Sequence, residues 1–285
     1  MLEGLTQRLA EAEARVPAIR PGCEKRVIWA GAPEARTALS VVYVHGFSAS
    51  PEEIRPVTDK VAEALGANLF FTRLNGHGQD GPAMGRATFA AWRRDLDEAA
   101  RIGAALGERV LWIGCSTGCT LIADALMRGA PAAGAVFVSP NFRLASRAAN
   151  WVLDVPGVRT WGPIPFGRER KFAVLNETHA RYWTPIHPTA AVFPMADAMR
   201  AVRRARLERI EAPALFAYSP QDRVVSHEAT RAAAVRWGGP VELHQVTCGP
   251  RDDAMCHVIA GDVFSPGQTD GLVARILDWA RRTGL

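Results

Sequence analysis

The chain has 285 residues, of which 48% are hydrophobic and 22% are charged. This composition is typical of a globular protein with a sizeable core, built as one large domain or two small ones. The formal net charge of +5 is mild and the basic residues are scattered, so we expect no nucleic-acid partner. We interpret the densest basic group as a solvated helix face: Arg200, Arg203, Arg204 and Arg206.

The sequence contains no signal for export or for a membrane. Residues 1–20 carry charged side chains and lack a continuous apolar core, so we predict no signal peptide and a cytoplasmic location. No stretch approaches the length of a membrane span, so no stable membrane insertion is expected. In this setting we expect reduced thiols, with a Cys248–Cys256 pair left open as an alternative. The chain has no C-x-x-C pair, so no metal site is predicted.

Strands and helices are predicted to alternate along most of the chain. Largely apolar runs predict strands over residues 25–30, 38–45, 67–73, 110–113, 133–138, 212–218 and 241–246, and the second of them is rich in β-branched residues. Apolar residues at helical spacing predict an N-terminal helix, helices that end near Gly66, Gly107 and Gly129, and helices over 227–237 and 270–282. This order predicts an α/β fold with a mostly parallel sheet and helices on both faces.

The helix before Gly66 has two possible starts. Ser50-Pro51-Glu52-Glu53 has the form of a capping box with proline at the first helical position, and an apolar stripe follows. Pro56 disturbs the early part of this pattern. The helix therefore begins either after Ser50 or at Pro56.

Residues 141–205 interrupt the alternation. They are rich in aromatic residues and proline, and no clean strand is apparent. We predict an insertion of helices and loops that covers one edge of a core formed by residues 1–140 and 206–285.

The segment 110–119 is the strongest functional signal. An apolar strand leads into Gly114-Cys115-Ser116-Thr117-Gly118, which fits the G-x-S-x-G pattern of a nucleophile elbow, and a helical stripe follows. A serine on a sharp strand-to-helix turn has crowded neighbours two residues away on either side, and glycine there removes the clashing Cβ atoms. Ser116 is therefore the candidate nucleophile, and we expect Cys115 to be a packed thiol.

A serine nucleophile needs a base, and that base needs an orienting acid. Loops at the carboxyl ends of the strands lie on the same edge of the sheet as the elbow. His257, in the loop after the last strand, and Asp222, after the strand 212–218, are the candidates in this position. Asp252 and Asp253 are rival acids. They are so close to His257 along the chain that neither carboxylate easily reaches the far side of the imidazole ring.

Six other histidines compete with His257 less well. We expect structural hydrogen bonding from His45 and His77, and a surface or lid position for His179 and His187. An oxyanion would need backbone donors. The N–H of Thr117, directly after the nucleophile, is one candidate, and the N–H of Phe47, in the loop after strand 38–45, is the other.

Taken together, these pieces resemble the α/β-hydrolase superfamily, and within it the carboxylesterase and monoacylglycerol-lipase branch. The resemblance spans residues 40–260 and rests on His45-Gly46-Phe47, Ser50-Pro51 through Arg55-Pro56, Gly76-His77-Gly78, the elbow, Asp222 with Val224-Val225, and His257-Val258-Ile259. It implies a cap over the active site, matching residues 141–205, and no cofactor. The elbow reads Cys-Ser-Thr where lipase-like members more often have His-Ser-Met, which bears on the substrate more than on the mechanism.

The leading hypothesis is a serine hydrolase of carboxylic esters with a small-molecule substrate. Thioester or amide hydrolysis and acyl transfer would use the same residues, and a non-catalytic ligand-binding protein on this fold is the alternative of a different class. Aromatic residues of the insertion are candidates to line an apolar acyl pocket: Trp151, Trp161, Phe166 and Trp183, with Phe172 and Phe193 as further members. Recognition of an acidic substrate is also open, through Arg168, Arg170, Lys171 and Arg181. The sequence does not determine the oligomeric state.

Overall fold

The computed structural model describes residues 2–285, apart from the side chains of Pro163 and Phe166. The strands are β1 (Arg26–Ile28), β2 (Thr37–Val44), β3 (Asn68–Phe71), β4 (Gly107–Cys115), β5 (Gly134–Val138), β6 (Glu169–Lys171), β7 (Ile186–Pro188), β8 (Ala214–Tyr218) and β9 (Val241–Gln245). The helices are α1 (Leu5–Ala14), α2 (Val57–Ala64), α3 (Gly81–Arg86), α4 (Phe89–Leu106), α5 (Thr117–Met127), α6 (Arg147–Asp154), α7 (Val158–Trp161), α8 (Pro163–Phe166), α9 (Glu177–Tyr182), α10 (Val192–Arg204), α11 (His227–Val235) and α12 (Thr269–Arg282). Three short 3₁₀ turns complete the described part of the chain: Thr189–Ala191, Leu207–Arg209 and Pro266–Gln268.

Seven strands form the central sheet, in the order β1-β3-β2-β4-β5-β8-β9. All neighbours are parallel except β1, which pairs antiparallel with β3 at the edge. The register aligns the carboxyl ends, with Val44 opposite Gly114 and Cys115 opposite Val138. The predicted α/β fold with a mostly parallel sheet is confirmed. Its carboxyl edge gathers the loops that follow β2, β4, β8 and β9.

The sheet buries an apolar layer on each face. Successive strand residues point to opposite faces, so Val42 and Val44 join one cluster with α4, α5 and α10, while Val41 and Tyr43 join a second cluster with α2 and α12. The predicted strands are nearly continuous apolar runs because both sides are covered. No helix in the described part of the chain is long and apolar enough to cross a membrane.

The helix before Gly66 begins at Val57. The predicted start after Ser50 was therefore wrong, and the alternative start at Pro56 was one residue away. Residues 51–56 form turns instead. A capping-box glutamate would accept the Ser50 N–H, but the Glu53 carboxylate accepts the N–H of Gly46 in the preceding loop. A tertiary contact has therefore replaced the local one.

The glycine-rich loop after β3 contains a short helix, α3, that we did not predict. Asp80 caps it by accepting the Ala83 N–H at 2.9 Å, and Pro82 lies in its first turn. Gly81 and Gly85 let it approach β7, since a Cβ on Gly81 would lie 2.4 Å from the Ile186 carbonyl oxygen. These glycines therefore mark close packing rather than a flexible loop.

The insertion contains a pair of strands, which corrects the prediction of helices and loops only. β6 and β7 pair antiparallel, with Arg170 opposite His187. Each strand has three residues and β6 is fully exposed, so neither carries the apolar alternation by which strands are recognised.

We propose that residues 141–205 form a cap on the core of residues 1–140 and 206–285. Helices α6 to α9 and the β6–β7 pair lie between β5 and α10 in the chain. The last helix, α10, packs on α5 and contributes Met195, Met199 and Val202 to a core cluster. The cap is thus attached to the core along its final helix.

Candidate active site

The turn between β4 and α5 holds Ser116 in a strained backbone conformation, with φ 51° and ψ −116°. Such a conformation costs on the order of 1–3 kcal/mol for a residue with a side chain. Both flanking glycines are needed for close approach: a Cβ on Gly118 would lie 2.0 Å from the Val44 carbonyl oxygen, and one on Gly114 would lie 2.9 Å from the Cys119 nitrogen. The turn therefore lifts the serine hydroxyl above the carboxyl edge of the sheet.

The structure brings Ser116, His257 and Asp222 into one hydrogen-bonded chain. Ser116 Oγ lies 2.9 Å from His257 Nε2, and His257 Nδ1 lies 2.9 Å from Asp222 Oδ2. This network assigns the proton to Nδ1, so that the imidazole donates to Asp222 and accepts from the Ser116 hydroxyl. Three separate loops, after β4, β8 and β9, supply the three side chains.

Asp222 is itself held by its own turn. Its Oδ1 accepts the backbone N–H groups of Val224 at 2.8 Å and Val225 at 2.9 Å, which leaves Oδ2 for His257. Donors to both oxygens keep the carboxylate in one orientation. The imidazole it contacts is thereby fixed in plane and tautomer.

The rival acids have other partners. Asp253 Oδ2 accepts the backbone N–H groups of His257 and Val258, both at 2.9 Å, and so shapes the loop without reaching the ring nitrogens. Asp252 accepts from the Gly249 N–H and from Gln268 Nε2. Among the three acids considered, Asp222 is the one placed against the imidazole.

Electrostatics around His257 favour the imidazolium. Burial lowers the pKa of His257, but the charge and hydrogen bond of Asp222, with smaller effects from Glu53 and Asp253, outweigh burial and leave the pKa raised. The surroundings of His257 therefore stabilise a positive charge on its ring.

Two backbone N–H groups near Ser116 are free to bind an anion. Thr117 is the first residue of α5, where the N–H has no partner within the helix. The Phe47 N–H has no acceptor in the described part of the chain. The Phe47 ring packs edge-on against the rings of His77 and His187, so the loop after β2 contacts the segment 141–205.

One residue at the site escaped the sequence reasoning. Glu53 is buried, and its carboxylate accepts the Gly46 N–H at 2.6 Å and the Tyr43 hydroxyl at 2.9 Å. The sequence pattern around Glu53 indicated a helix cap. Only the contact with the loop after β2 shows that its carboxylate binds the Gly46 N–H instead. A buried carboxylate against a glycine turn has no signature in the sequence.

Cys115 lies beneath the turn and is fully buried. Burial first, and then the charge of Glu53, raise the pKa of its thiol well above the usual range. A neutral buried thiol is a poor nucleophile, so the geometry agrees with the expected packed thiol. All five cysteines are free, including Cys248 and Cys256.

The aromatic candidates of the insertion have different surroundings. Trp183 is buried and packs edge-on against His179 and Phe264. Trp161 is partly exposed and its indole N–H donates to the Pro156 carbonyl oxygen. The side chain of Phe166 lies outside the described residues. His179 and His187 are buried within the insertion rather than at its surface.

Trp151 departs from the expectation of a pocket residue, because its side chain is 70% exposed. The neighbouring Asn150 is the buried residue of α6, and its amide donates to the carbonyl oxygens of Leu144 and Ser146. Consecutive helix residues point about 100° apart, so fixing Asn150 inward turns Trp151 outward.

No group of three or more His, Cys, Asp or Glu side chains that could hold a metal ion occurs within the described residues.

Comparison with known proteins shows which proteins this chain is similar to. The chain is 28% identical over 192 residues to a thermostable monoacylglycerol lipase of Bacillus sp. (strain H-257), covering 66% of this chain and 72% of the relative. Its fold matches that of a structure of the metagenome-derived lipolytic enzymes LipS and LipT, with a TM-score of 0.75 at 21% identity over 93% of this chain and 99% of the other. It also matches the monoacylglycerol lipase of Paleococcus ferrophilus, with a TM-score of 0.65 at 13% identity over 91% of this chain and 98% of the other.

The family model of the alpha/beta hydrolase family matches residues 41–261, a range that contains Phe47, Ser116, Asp222 and His257. With this match, the chain belongs to the alpha/beta hydrolase family and is an esterase-like or lipase-like protein.

Proposed function

We propose that the chain is a serine hydrolase that cleaves carboxylic esters through an acyl-enzyme. The hydrogen-bonded chain from Ser116 through His257 to Asp222, at a strained turn, carries this proposal. In the first step His257 Nε2 takes the hydroxyl proton while Ser116 Oγ attacks the carbonyl carbon. The resulting imidazolium is stabilised by Asp222.

The tetrahedral intermediate carries its negative charge on the former carbonyl oxygen. The N–H groups of Phe47 and Thr117 are the proposed donors to this oxyanion. Collapse of the intermediate breaks the bond to the alcohol, which receives its proton from His257. Water, activated by the same imidazole, then hydrolyses the acyl-Ser116 ester and restores the free enzyme.

We propose an ester with an apolar acyl chain as the substrate. The similarity to a monoacylglycerol lipase favours such a chain, and so do the rings of Phe47, His187 and Trp183, which lie in the loop after β2 and the neighbouring cap. The basic residues considered for an acidic substrate are all exposed: Arg168, Arg170, Lys171 and Arg181. Exposed charges attract an acid weakly in salt solution. These four residues therefore give little support to an acidic substrate.

Covalent labelling tests the proposal directly. A fluorophosphonate probe reacts with a serine only where a base has activated it, so the wild-type protein should be labelled stoichiometrically. Ser116→Ala should abolish labelling and reduce hydrolysis of p-nitrophenyl butyrate by about five to six orders of magnitude. His257→Ala should cost about as much, and the double variant hardly more than either alone.

Two results would reject the assignment. An unlabelled, inactive wild-type protein would favour the non-catalytic alternative. A folded Ser116→Ala variant that hydrolyses the ester at the wild-type rate would identify a different nucleophile.

A further inference from the structure

The loop that follows β2 contains a buried carboxylate that the proposed reaction does not use. Glu53 is 2% exposed. Its Oε2 accepts two hydrogen bonds, from the Gly46 N–H and from the Tyr43 hydroxyl. Burying a carboxylate is costly unless it is hydrogen-bonded. The two donors offset part of that cost, but burial is the larger effect and leaves the pKa of Glu53 raised.

Glu53 lies close to the candidate nucleophile. A Cβ built on Gly46 would lie 2.5 Å from Glu53 Oε1 and 3.1 Å from Ser116 Cβ. The carboxyl and the serine therefore face each other across Gly46. A side chain at position 46 would displace one of them, which explains why glycine is required there.

Gly46 is held from two sides. Its N–H is bound to Glu53, and its carbonyl oxygen lies 2.9 Å from His45 Nδ1. His45 Nε2 accepts the Leu74 N–H at 3.1 Å, which places the ring proton on Nδ1 and makes it the donor to Gly46. Burial lowers the pKa of His45 to about 4, so this neutral tautomer persists near neutral pH.

Fixing the Gly46 carbonyl also fixes the next N–H. The peptide group is planar and trans, so the carbonyl oxygen of Gly46 and the N–H of Phe47 point in opposite directions. The Gly46 carbonyl oxygen is held by His45 Nδ1 and by the Ala49 N–H at 3.4 Å. Glu53 holds the preceding peptide group through the Gly46 N–H and so limits rotation about the Gly46 backbone. Together these contacts set the orientation of the Phe47 N–H, a proposed oxyanion donor.

We propose that Glu53 is a positioning residue for the hydrolysis proposed above: its carboxylate holds the Gly46 N–H and thereby aims the Phe47 N–H at the oxyanion. Glu53 does not contact the substrate. It acts on the transition state through the backbone, which predicts an effect on kcat rather than on KM.

Three substitutions separate this effect from a loss of folding. Glu53→Leu removes the acceptor at similar size and should lower kcat about 100-fold with KM nearly unchanged, as expected when a catalytic group is misplaced by about 1 Å. Glu53→Asp retains the charge but is one methylene shorter, so it should show the same loss of kcat. This variant carries the test if the leucine variant does not fold. Glu53→Gln still offers an amide oxygen to Gly46 and should recover kcat to within roughly tenfold of wild type, since a neutral acceptor bonds about half as strongly.

A neighbouring residue supplies the matched control. Glu52 lies in the same turn, but its carboxylate pairs with Arg26 and Arg55, away from Gly46. Glu52→Gln should keep the wild-type kcat. Folding of each variant is verified by circular dichroism and thermal unfolding before the kinetics are compared.

A second readout reports the oxyanion donor itself. A trifluoromethyl ketone with the same acyl chain forms a tetrahedral adduct with the serine, so its affinity should fall in Glu53→Leu by the same factor as kcat/KM. A folded leucine or aspartate variant with wild-type kcat and wild-type inhibitor affinity would overturn the inference, as would a loss confined to KM.

This inference rests on the proposed function, and the experiment distinguishes their failures. If wild-type protein is not labelled by the fluorophosphonate, the hydrolase proposal itself fails. If wild type is labelled and active while the folded Glu53→Leu variant equals it, only the role of Glu53 is rejected.

Discussion

Asp222 Oδ2 lies 2.9 Å from His257 Nδ1, although 35 residues separate the two along the chain. Asp252 and Asp253 are much nearer to His257 in sequence, yet neither reaches its ring nitrogens. The acid placed against the imidazole therefore comes from the loop after β8, the strand next to β9 in the sheet. This relationship makes the choice among the three acids testable.

Asp222→Asn should fold and lose about four orders of magnitude in kcat, because an amide that donates to Nδ1 stabilises the wrong imidazole tautomer. The measurement is steady-state hydrolysis of p-nitrophenyl butyrate. Asp252→Asn is the control and should retain nearly wild-type turnover, since its contacts are with Gly249 and Gln268. A larger loss in the control than in Asp222→Asn would mean that the acid has been misassigned.

The pH dependence of kcat/KM should have an acidic limb with a midpoint above about 6.5, the ordinary value for histidine. Only the neutral imidazole can accept the serine proton, and the carboxylates around His257 raise its pKa. Activity should therefore rise with pH through this midpoint. Rates measured between pH 5 and pH 9 at constant ionic strength would show it, and a midpoint below 6 would contradict the electrostatic account.

Longer acyl chains should improve the substrate until the pocket is filled. Each buried methylene contributes up to about 0.8 kcal/mol, or roughly a fourfold gain in kcat/KM. A series of p-nitrophenyl esters from acetate to octanoate should therefore improve to at least butyrate or hexanoate. Matched esters with a terminal carboxylate test the acidic alternative. If acetate is the best neutral ester, or if the charged esters react faster, the apolar pocket is wrong.

A buried ion pair joins the N-terminal helix α1 to the segment that follows β3. Glu13 on α1 accepts from Arg73 Nε at 2.6 Å and from Arg73 Nη2 at 2.8 Å, and both side chains are 5% exposed. Glu13→Gln leaves the arginine without its counter-charge and should lower the free energy of unfolding by about 3 kcal/mol. Urea denaturation provides the measurement, with the exposed Glu11→Gln on the same helix as the control.

The same pair predicts a loss of stability in acid. Burial raises the pKa of Glu13, but Arg73 and Lys25 outweigh burial and leave the pKa lowered. A carboxyl with a lowered folded-state pKa contributes stability above its unfolded value and loses it as the pH falls through the folded-state value. The difference in unfolding free energy between wild type and Glu13→Gln should therefore shrink below about pH 4, where Glu begins to titrate in the unfolded chain. A constant difference down to pH 2 would show that charge is not the cause.

The sequence by itself determined those features whose physics is local. Apolar runs of β-branched residues identify β2 because both faces of that strand are buried. Gly114 and Gly118 identify the elbow because a Cβ would clash with the Cys119 nitrogen at the first position and with the Val44 carbonyl oxygen of the neighbouring strand at the second. The order of strands and helices determined a parallel sheet, and the parallel sheet indicated which loops would meet Ser116. These inferences require only neighbours within a few residues or the general geometry of the fold.

The tertiary structure decided what depends on which of several possible hydrogen-bond partners each residue meets after folding. Glu53 has the pattern of a helix cap, but the Gly46 N–H competes for its carboxylate, and α2 begins at Val57 instead. Trp151 faces solvent because Asn150 is held inward. The β6–β7 pair forms between exposed segments that carry no apolar alternation. For Glu53 and for the β6–β7 pair the hydrogen-bond partner lies in another loop or strand, whereas Asn150 bonds the carbonyl oxygens of Leu144 and Ser146 just before and at the start of its own helix. In each case a hydrogen bond outweighs a weak local preference, and which bond forms is decided only once the chain has folded.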